Sequence, residues 1–293
     1  MDVGEDFLDL ATIAADSRML GLARVGLSGL DAGEPISDLA RRIAAAVPRM
    51  EPGAIAMVDS PRWPVDLDNS SQIPKRRADG ARVRGVDAIL RTLVAELGTH
   101  RQFRGMGRLA MFPTPPLHYF LRCVGSPACK PHLRAIGCEL LAAAPDAHAR
   151  LIIERNDLTP PIGGAIFTRF MLAGFAAYRA LDAMGVRTFE SYPDLQFRLW
   201  SHGAPLPPKK RGRDAFAARQ RIDLRLARTL GLSDAKRMTT LDEADAAILA
   251  LGAAAARAAG VLAVVENRCE GRFALALDRA AAHALGLSAP IRM

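Results

Sequence analysis

The chain has 293 residues, half of them apolar and 5% aromatic, and its formal net charge at pH 7 is +8. This length can bury a large core, and we expect one domain over residues 1–293. The apolar runs are too short to cross a bilayer, and the first six residues are acidic where a secretory signal is basic. The four cysteines lack the paired spacing of a zinc site. These features argue against a membrane protein and predict a cytoplasmic one with reduced thiols.

The N-terminal part of the chain predicts a hairpin, a helix and a buried strand. Residues 6–11 and 19–27 are strand-like and are joined by a polar turn, which favours an antiparallel pair. Residues 35–47 have apolar positions at helical spacing between two prolines. The apolar run 54–59 then predicts a strand that ends in an aspartate.

A polar, arginine-rich stretch follows, and we expect an insertion over roughly residues 66–160. Within it, residues 86–94 predict a helix, and the proline-rich residues 98–116 predict a surface loop that is either an active-site cover or an ordinary connection. The C-terminal half is predicted to alternate helices and strands. In chain order these are a helix over 162–184, a strand over 188–197 that Pro193 interrupts, a helix over 214–230, an alanine-rich helix after Thr240, strands over 261–266 and 271–276, and a closing helix over 278–286.

Acidic residues recur at the ends of apolar runs. Asp9, Asp59 and Glu190 stand in or directly after strand-like segments. Asp242 and Asp245 are three residues apart near the start of the alanine-rich helix, so they share a helix face. Carboxylates also simply favour helix starts, because the helix dipole attracts them. Several of them converging on one end of a sheet would form a divalent-metal site.

Basic residues suggest how a polyanion would be held. The arginine-rich stretch contains Arg76 and Arg77, and a proline-rich loop before the 214–230 helix contains Lys209, Lys210 and Arg213. Lysine and arginine bind phosphate groups, so these five side chains are candidates for contacts to a nucleic-acid backbone. A solvated linker is the plain alternative.

The order of hairpin, helix, strand, helix, strand and acidic helix resembles the ribonuclease-H-like fold, an α/β fold with a mixed sheet flanked by helices. The amino-acid sequences of several short motifs resemble those of a family of predicted nucleases with that fold, called domain of unknown function 429. The matching pieces are LDLA at 8–11, VDSP at 58–61, FPTP at 112–115, ESYP at 190–193, the lysines at 209–210 and DEADA at 242–246. Helical and loop insertions complete the expected domain.

The resemblance implies a metal-dependent nuclease that hydrolyses phosphodiester bonds of DNA or RNA. It implies that Asp9, Asp59 and Asp245 bind Mg²⁺ or Mn²⁺ and that Glu190 or Asp242 positions water. A second alignment takes residues 25–28 as the first strand and puts a serine at the position of the first aspartate.

Two other functions remain open. One is a nucleotide-dependent phosphotransferase or hydrolase related to actin and sugar kinases, and the other is a catalytically inactive ribonuclease-H-like binding protein.

Overall fold

The computed structural model describes residues 1–4, 6–13, 19–31, 34–51, 53–60, 62, 85–106, 164–202, 204–232, 234–235, 238–267 and 271–287. These residues form a mixed α/β structure. Most of the expected insertion, including Arg76 and Arg77, and all four cysteines lie outside the described residues. None of the described helices has the length and apolarity needed to cross a bilayer.

The described strands and helices are numbered in chain order. The strands are β1 (Asp2–Val3), β2 (Phe7–Ile13), β3 (Met19–Gly26), β4 (Ile55–Val58), β5 (Arg187–Glu190), β6 (Asp234–Ala235), β7 (Val261–Asn267) and β8 (Gly271–Leu277). The helices are α1 (Ser28–Asp31), α2 (Ile36–Ala46), α3 (Gly85–Leu97), α4 (Gly164–Ala183), α5 (Pro193–Trp200), α6 (Arg213–Thr229), α7 (Leu241–Ala259) and α8 (Arg279–Ala284). Short 3-10 helices cover Arg101–Met106 and Lys209–Arg211.

The strands form two hydrogen-bonded sheets that meet at a single bridge. One sheet has the order β1-β2-β3-β6 and the other has the order β4-β5-β8-β7. Asp2 forms a parallel bridge with Asp59, and the backbone N–H of Asp59 donates to the carbonyl oxygen of Met1 at 3.0 Å. This bridge places β1 between the antiparallel β2 and the parallel β4, so the central order is β3-β2-β1-β4-β5.

Helices cover both faces of these strands. Because side chains alternate along a strand, β2 sends Leu8 and Leu10 into a core with α2 and α4 and sends Asp9 to the opposite face. That opposite face carries Met57 and Phe189 and packs against α5, α6 and α7. The site described below lies on the α7 face.

Small residues let α7 approach the strands and its neighbouring helix closely. Its buried face is mainly alanine, and a Cβ added at Gly252 would lie 3.2 Å from Nε1 of Trp200. The helix begins with a capping box, in which the N–H of Glu243 donates to Oγ1 of Thr240 at 3.1 Å and the Glu243 carboxylate accepts from the N–H of Thr240 at 3.3 Å. This cap fixes where the acidic first turns of α7 lie on the sheet.

The structure confirms most of the predicted elements within the described residues and corrects one. The hairpin, the helix over 35–47, the strand before Asp59, the long helices and the C-terminal strand pair are present. The strand predicted over 188–197 is wrong, because it ends at Glu190 and α5 begins at Pro193. Proline fits the first helical turn, where its missing N–H leaves no hydrogen bond unmade.

Candidate carboxylate site

Three aspartates lie side by side on neighbouring strands beneath α7. Asp2 is paired in register with Asp9 of β2, and on its other side it bridges to Asp59, which directly follows β4. Residues directly opposite on adjacent strands place their side chains on the same face, with Cβ atoms about 5 Å apart. The central member of this row is Asp2, a residue that the sequence analysis did not select.

Helix α7 adds a buried carboxylate above the row. Asp245 has no exposed surface, and its Oδ2 forms an ion pair with Nζ of Lys209. Its Oδ1 lies 3.8 Å from Nε of Arg219, which is too long for a hydrogen bond. Arg219 is itself buried and donates to Asp194 at 3.0 Å. Asp245 is therefore held between two cations.

Burial and mutual repulsion make these carboxyl groups hold protons more tightly than usual. Burial raises the pKa of Asp2 well above its ordinary value, and the charges of Asp245 and Asp59 raise it further. Burial also raises the pKa of Asp59 to about 7, against the opposing charge of Lys209 and a hydrogen bond with Asp2. Burial likewise raises the pKa of Asp245 although Lys209 opposes it. A further cation in this site would favour the ionised carboxylates.

Lys209 is the main counter-ion of the cluster. Burial lowers the pKa of Lys209, but the carboxylates of Asp245, Asp2 and Asp59 outweigh burial, so the pKa is raised above its usual range. The side chain keeps 51% of its surface exposed, which means that it reaches into the site from outside. It does so from a 3-10 turn that ends at Gly212, whose positive φ of 50° suits glycine.

Asp9 is in the row but has its own partner. Arg24, on the neighbouring strand β3, donates to both carboxylate oxygens of Asp9 at 2.7 and 3.1 Å. The same guanidinium donates to Oγ1 of Thr240 at 3.1 Å, so it ties β2 and β3 to the start of α7. This two-point ion pair engages both oxygens of Asp9, whereas Asp2 lies between Asp9 and Asp59 in the row.

The other predicted carboxylates lie around the cluster. Asp242 is exposed on the first turn of α7, and its charge contributes to the raised pKa of Asp2. Glu190 is buried at the end of β5, where its register partners are Val58 of β4 and Phe273 of β8. Its charge reaches Asp59 and helps to raise that pKa.

Of the basic candidates, Lys209 lies within the cluster, and Lys210 and Arg213 are exposed beside it. Arg219 was missed, although the sequence contains a signal for it. Arg219 shares the apolar face of its helix with Ile222 and Leu226 at helical spacing, and a cation on such a face requires a buried acidic partner.

The carboxylate oxygens of this site are the ligand type that a hard divalent ion prefers. The described side chains are not positioned around a single ion. In the part of the chain that the structure describes, no three histidine, cysteine, aspartate or glutamate side chains are placed to hold one metal ion. Asp2, Asp59 and Asp245 nevertheless supply carboxylate oxygens, which Mg²⁺ prefers. Oδ1 of Asp245 is buried and accepts no hydrogen bond from the described residues. In this structure the positive charge beside these oxygens comes from Lys209.

Comparisons with protein-family models, with curated proteins and with solved structures returned no match for this chain.

Removing the Lys209 charge should destabilise the fold, because the carboxylates lose their main counter-ion. We expect Lys209→Met to lower the free energy of unfolding at pH 7 by about 1–2 kcal/mol. Breaking a fully buried pair costs about 3–5 kcal/mol, and the exposed half of this side chain reduces that value. Urea denaturation measures it. The adjacent Lys210→Met is the matched control, since Lys210 is exposed. Equal stability of the two variants would contradict a central role for Lys209.

Asp223 is a second buried carboxylate behind the cluster. It lies on α6 one turn after Arg219 and is completely buried. Within the described residues, neither of its oxygens accepts a hydrogen bond. Burial and then the charge of Asp245 raise the pKa of Asp223 well above its usual value, against the opposing charge of Arg219. The folded protein therefore keeps Asp223 protonated at pH values where the unfolded chain ionises it.

This proton makes stability depend on pH. Above about pH 4 the unfolded chain loses the Asp223 proton and the folded protein does not, so Asp223 lowers stability as pH rises, by up to about 1.4 kcal/mol per pH unit. We expect Asp223→Asn to be more stable than the parent at pH 7 and to differ little from it near pH 4.5. Denaturation series from pH 4.5 to 7.5 measure this. Asp214→Asn, which changes an exposed carboxylate, is the control. A parent protein with a higher free energy of unfolding than Asp223→Asn at pH 7 would refute the protonated state of Asp223.

Proposed function

We propose that this protein is a divalent-metal-dependent phosphodiesterase that hydrolyses nucleic acid, with Asp2, Asp59 and Asp245 as its metal ligands. The proposal rests on three carboxylates from separate segments that lie close enough for Asp245 and Asp59 to raise the pKa of Asp2 and for Asp245 to raise that of Asp59. Such a grouping costs stability, so a catalytic role is a reason for the chain to retain it.

The chemistry of the site supports this reaction class. When bound, Mg²⁺ or Mn²⁺ would supply an activated water and neutralise charge at the leaving oxygen. The carboxylates of Asp2, Asp59 and Asp245 would bind and orient the ion, and Asp242 at the exposed rim would accept a proton from water. Lys209, displaced from Asp245 by the incoming charge, would be free to bind the substrate phosphate.

The ribonuclease-H-like resemblance agrees with this proposal in the order of elements. The hairpin β2-β3, helix α2, strand β4, helix α4, strand β5 and the acidic helix α7 follow one another as the resemblance requires. The first-strand aspartate is assigned to Asp2 rather than Asp9, because Arg24 already binds both oxygens of Asp9. The resemblance to the family called domain of unknown function 429 rests on the short sequence motifs alone.

A non-catalytic binding protein is the second candidate. The ion pair between Lys209 and Asp245 favours it, because that pair neutralises part of the cluster without a metal. The two candidates differ in whether a bound nucleic acid is cleaved when divalent ions are present, so a cleavage assay distinguishes them.

Cleavage should depend on the metal and on the central carboxylates. We expect the protein with millimolar Mn²⁺ or Mg²⁺ to cut at least one of labelled single-stranded DNA, duplex DNA, branched DNA and RNA. Asp59→Asn and Asp2→Asn should each lower the rate by about 100-fold or more, since even outer-shell partners of a metal contribute 10- to 100-fold. Gel analysis of products over time measures the rates.

Two controls sharpen this assay. Asp214→Asn removes an exposed carboxylate from the first turn of a neighbouring helix and should keep full activity. Chelation of the metal should stop cleavage by the parent protein. Equal cleavage by Asp59→Asn and the parent would reveal a contaminant, and a folded parent that cuts none of the substrates would refute the proposal in favour of a binding protein.

A further inference from the structure

Helix α6 and the turn before it form a strongly basic segment of the chain. Residues 209–229 contain eight lysines and arginines and two aspartates, whereas the whole chain has a net charge of +8. One of these cations, Lys209, and one of the aspartates, Asp223, belong to the carboxylate site and its surroundings. The remaining charge lies mainly on the surface.

The exposed arginines of α6 lie along one side of the helix. Arg221, Arg225 and Arg228 follow at spacings of four and three residues, which places them on one face, and Arg213 stands in the first turn. All four are exposed, whereas the opposite side of α6 buries a mainly apolar set of residues against α7. We call the exposed set Lys210, Arg211, Arg213, Arg221, Arg225 and Arg228 the α6 ridge.

The ridge has few partners among the described residues. Arg225 donates to the backbone carbonyl of Trp200, but its charge is not paired there with a carboxylate. Lys210, Arg211, Arg213, Arg221 and Arg228 form no ion pair or side-chain hydrogen bond with any described residue. Some exposed arginines elsewhere are paired, as Arg41 is with Asp38 at 2.5 Å.

This arrangement has a cost that an external anion would remove. Like charges at spacings of four residues destabilise a helix by about 0.2–0.5 kcal/mol per pair. A row of cations on one helix face also creates a local positive potential, which attracts polyanions from solution.

The ridge is continuous with the carboxylate site. Lys209 contacts Asp245, and Lys210 and Arg211 are the next residues of the same 3-10 turn. Helix α6 starts two residues later and has 17 residues, so the ridge extends about 25 Å from the cluster. About seven phosphates of one strand of a duplex span that distance.

We propose that the α6 ridge binds the phosphate backbone of a nucleic-acid strand and directs that strand into the carboxylate site. This inference rests on the proposed nuclease function for the identity of the polyanion. It adds the surface that binds the substrate strand outside the carboxylate site. The ridge contacts phosphates and not bases, so it confers affinity without sequence preference.

The salt dependence of binding tests the ridge without any need for cleavage. The probes are a fluorescein-labelled 20-nucleotide single strand of DNA, the same sequence as RNA and a 20-base-pair duplex, each titrated in EDTA at 50 to 200 mM KCl. The ridge variant combines Arg213→Gln, Arg221→Gln and Arg228→Gln. The control combines Arg49→Gln, Arg179→Gln and Arg257→Gln, which are exposed arginines elsewhere and lower the net charge equally.

The slope of log K against log salt is negative, and we expect the ridge variant to make it less steep by about 2 to 3, one for each lost phosphate contact, while the control keeps the parent slope. Equal slopes for the two variants, or binding of polyglutamate as tight as that of all three nucleic acids, would overturn the ridge. Parent protein that binds with the expected slope but cuts nothing would retain the ridge and refute the proposed nuclease.

Discussion

The pairing of Asp245 with Lys209 and Arg219 is the interaction on which the rest of this structure depends. Asp2 and Asp245 are buried and Asp59 is partly buried, and charges this close are tolerated only with positive charge among them. Lys209 supplies that charge from the surface, and Arg219 supplies it from the interior. Both cations come from the segment around α6, so this helix connects the acidic centre to the basic exterior.

Local sequence patterns were enough to predict the elements that carry this arrangement. The β2-β3 hairpin, helix α2 and the capped helix α7 follow from alternation, helical spacing and start signals, and with them come the positions of Asp242 and Asp245. The segment after Glu190 was misassigned because a proline that begins a helix was interpreted as a break within a strand.

Non-local contacts explain why the position of Asp2 and the partner of Asp9 could not be predicted from the sequence. Strand β1 has two residues, too few for any alternation, and Asp2 gains its central place through pairing with Asp9 and with Asp59, which is 57 positions away. The sequence favours Asp9 because it stands in an apolar, strand-like run, yet nothing local reveals that Arg24 binds it from β3. The partners of a buried charge depend on which strands are neighbours, so they become visible only with the fold.

A manganese-soaked crystal examined by anomalous scattering tests the central claim most directly. We expect an anomalous peak at coordination distance from the carboxylates of Asp2, Asp59 and Asp245, with the Lys209 ammonium moved away from Asp245. Aspartates that lie apart in the crystal, or a Lys209 still paired with Asp245 and no peak at saturating manganese, would contradict it.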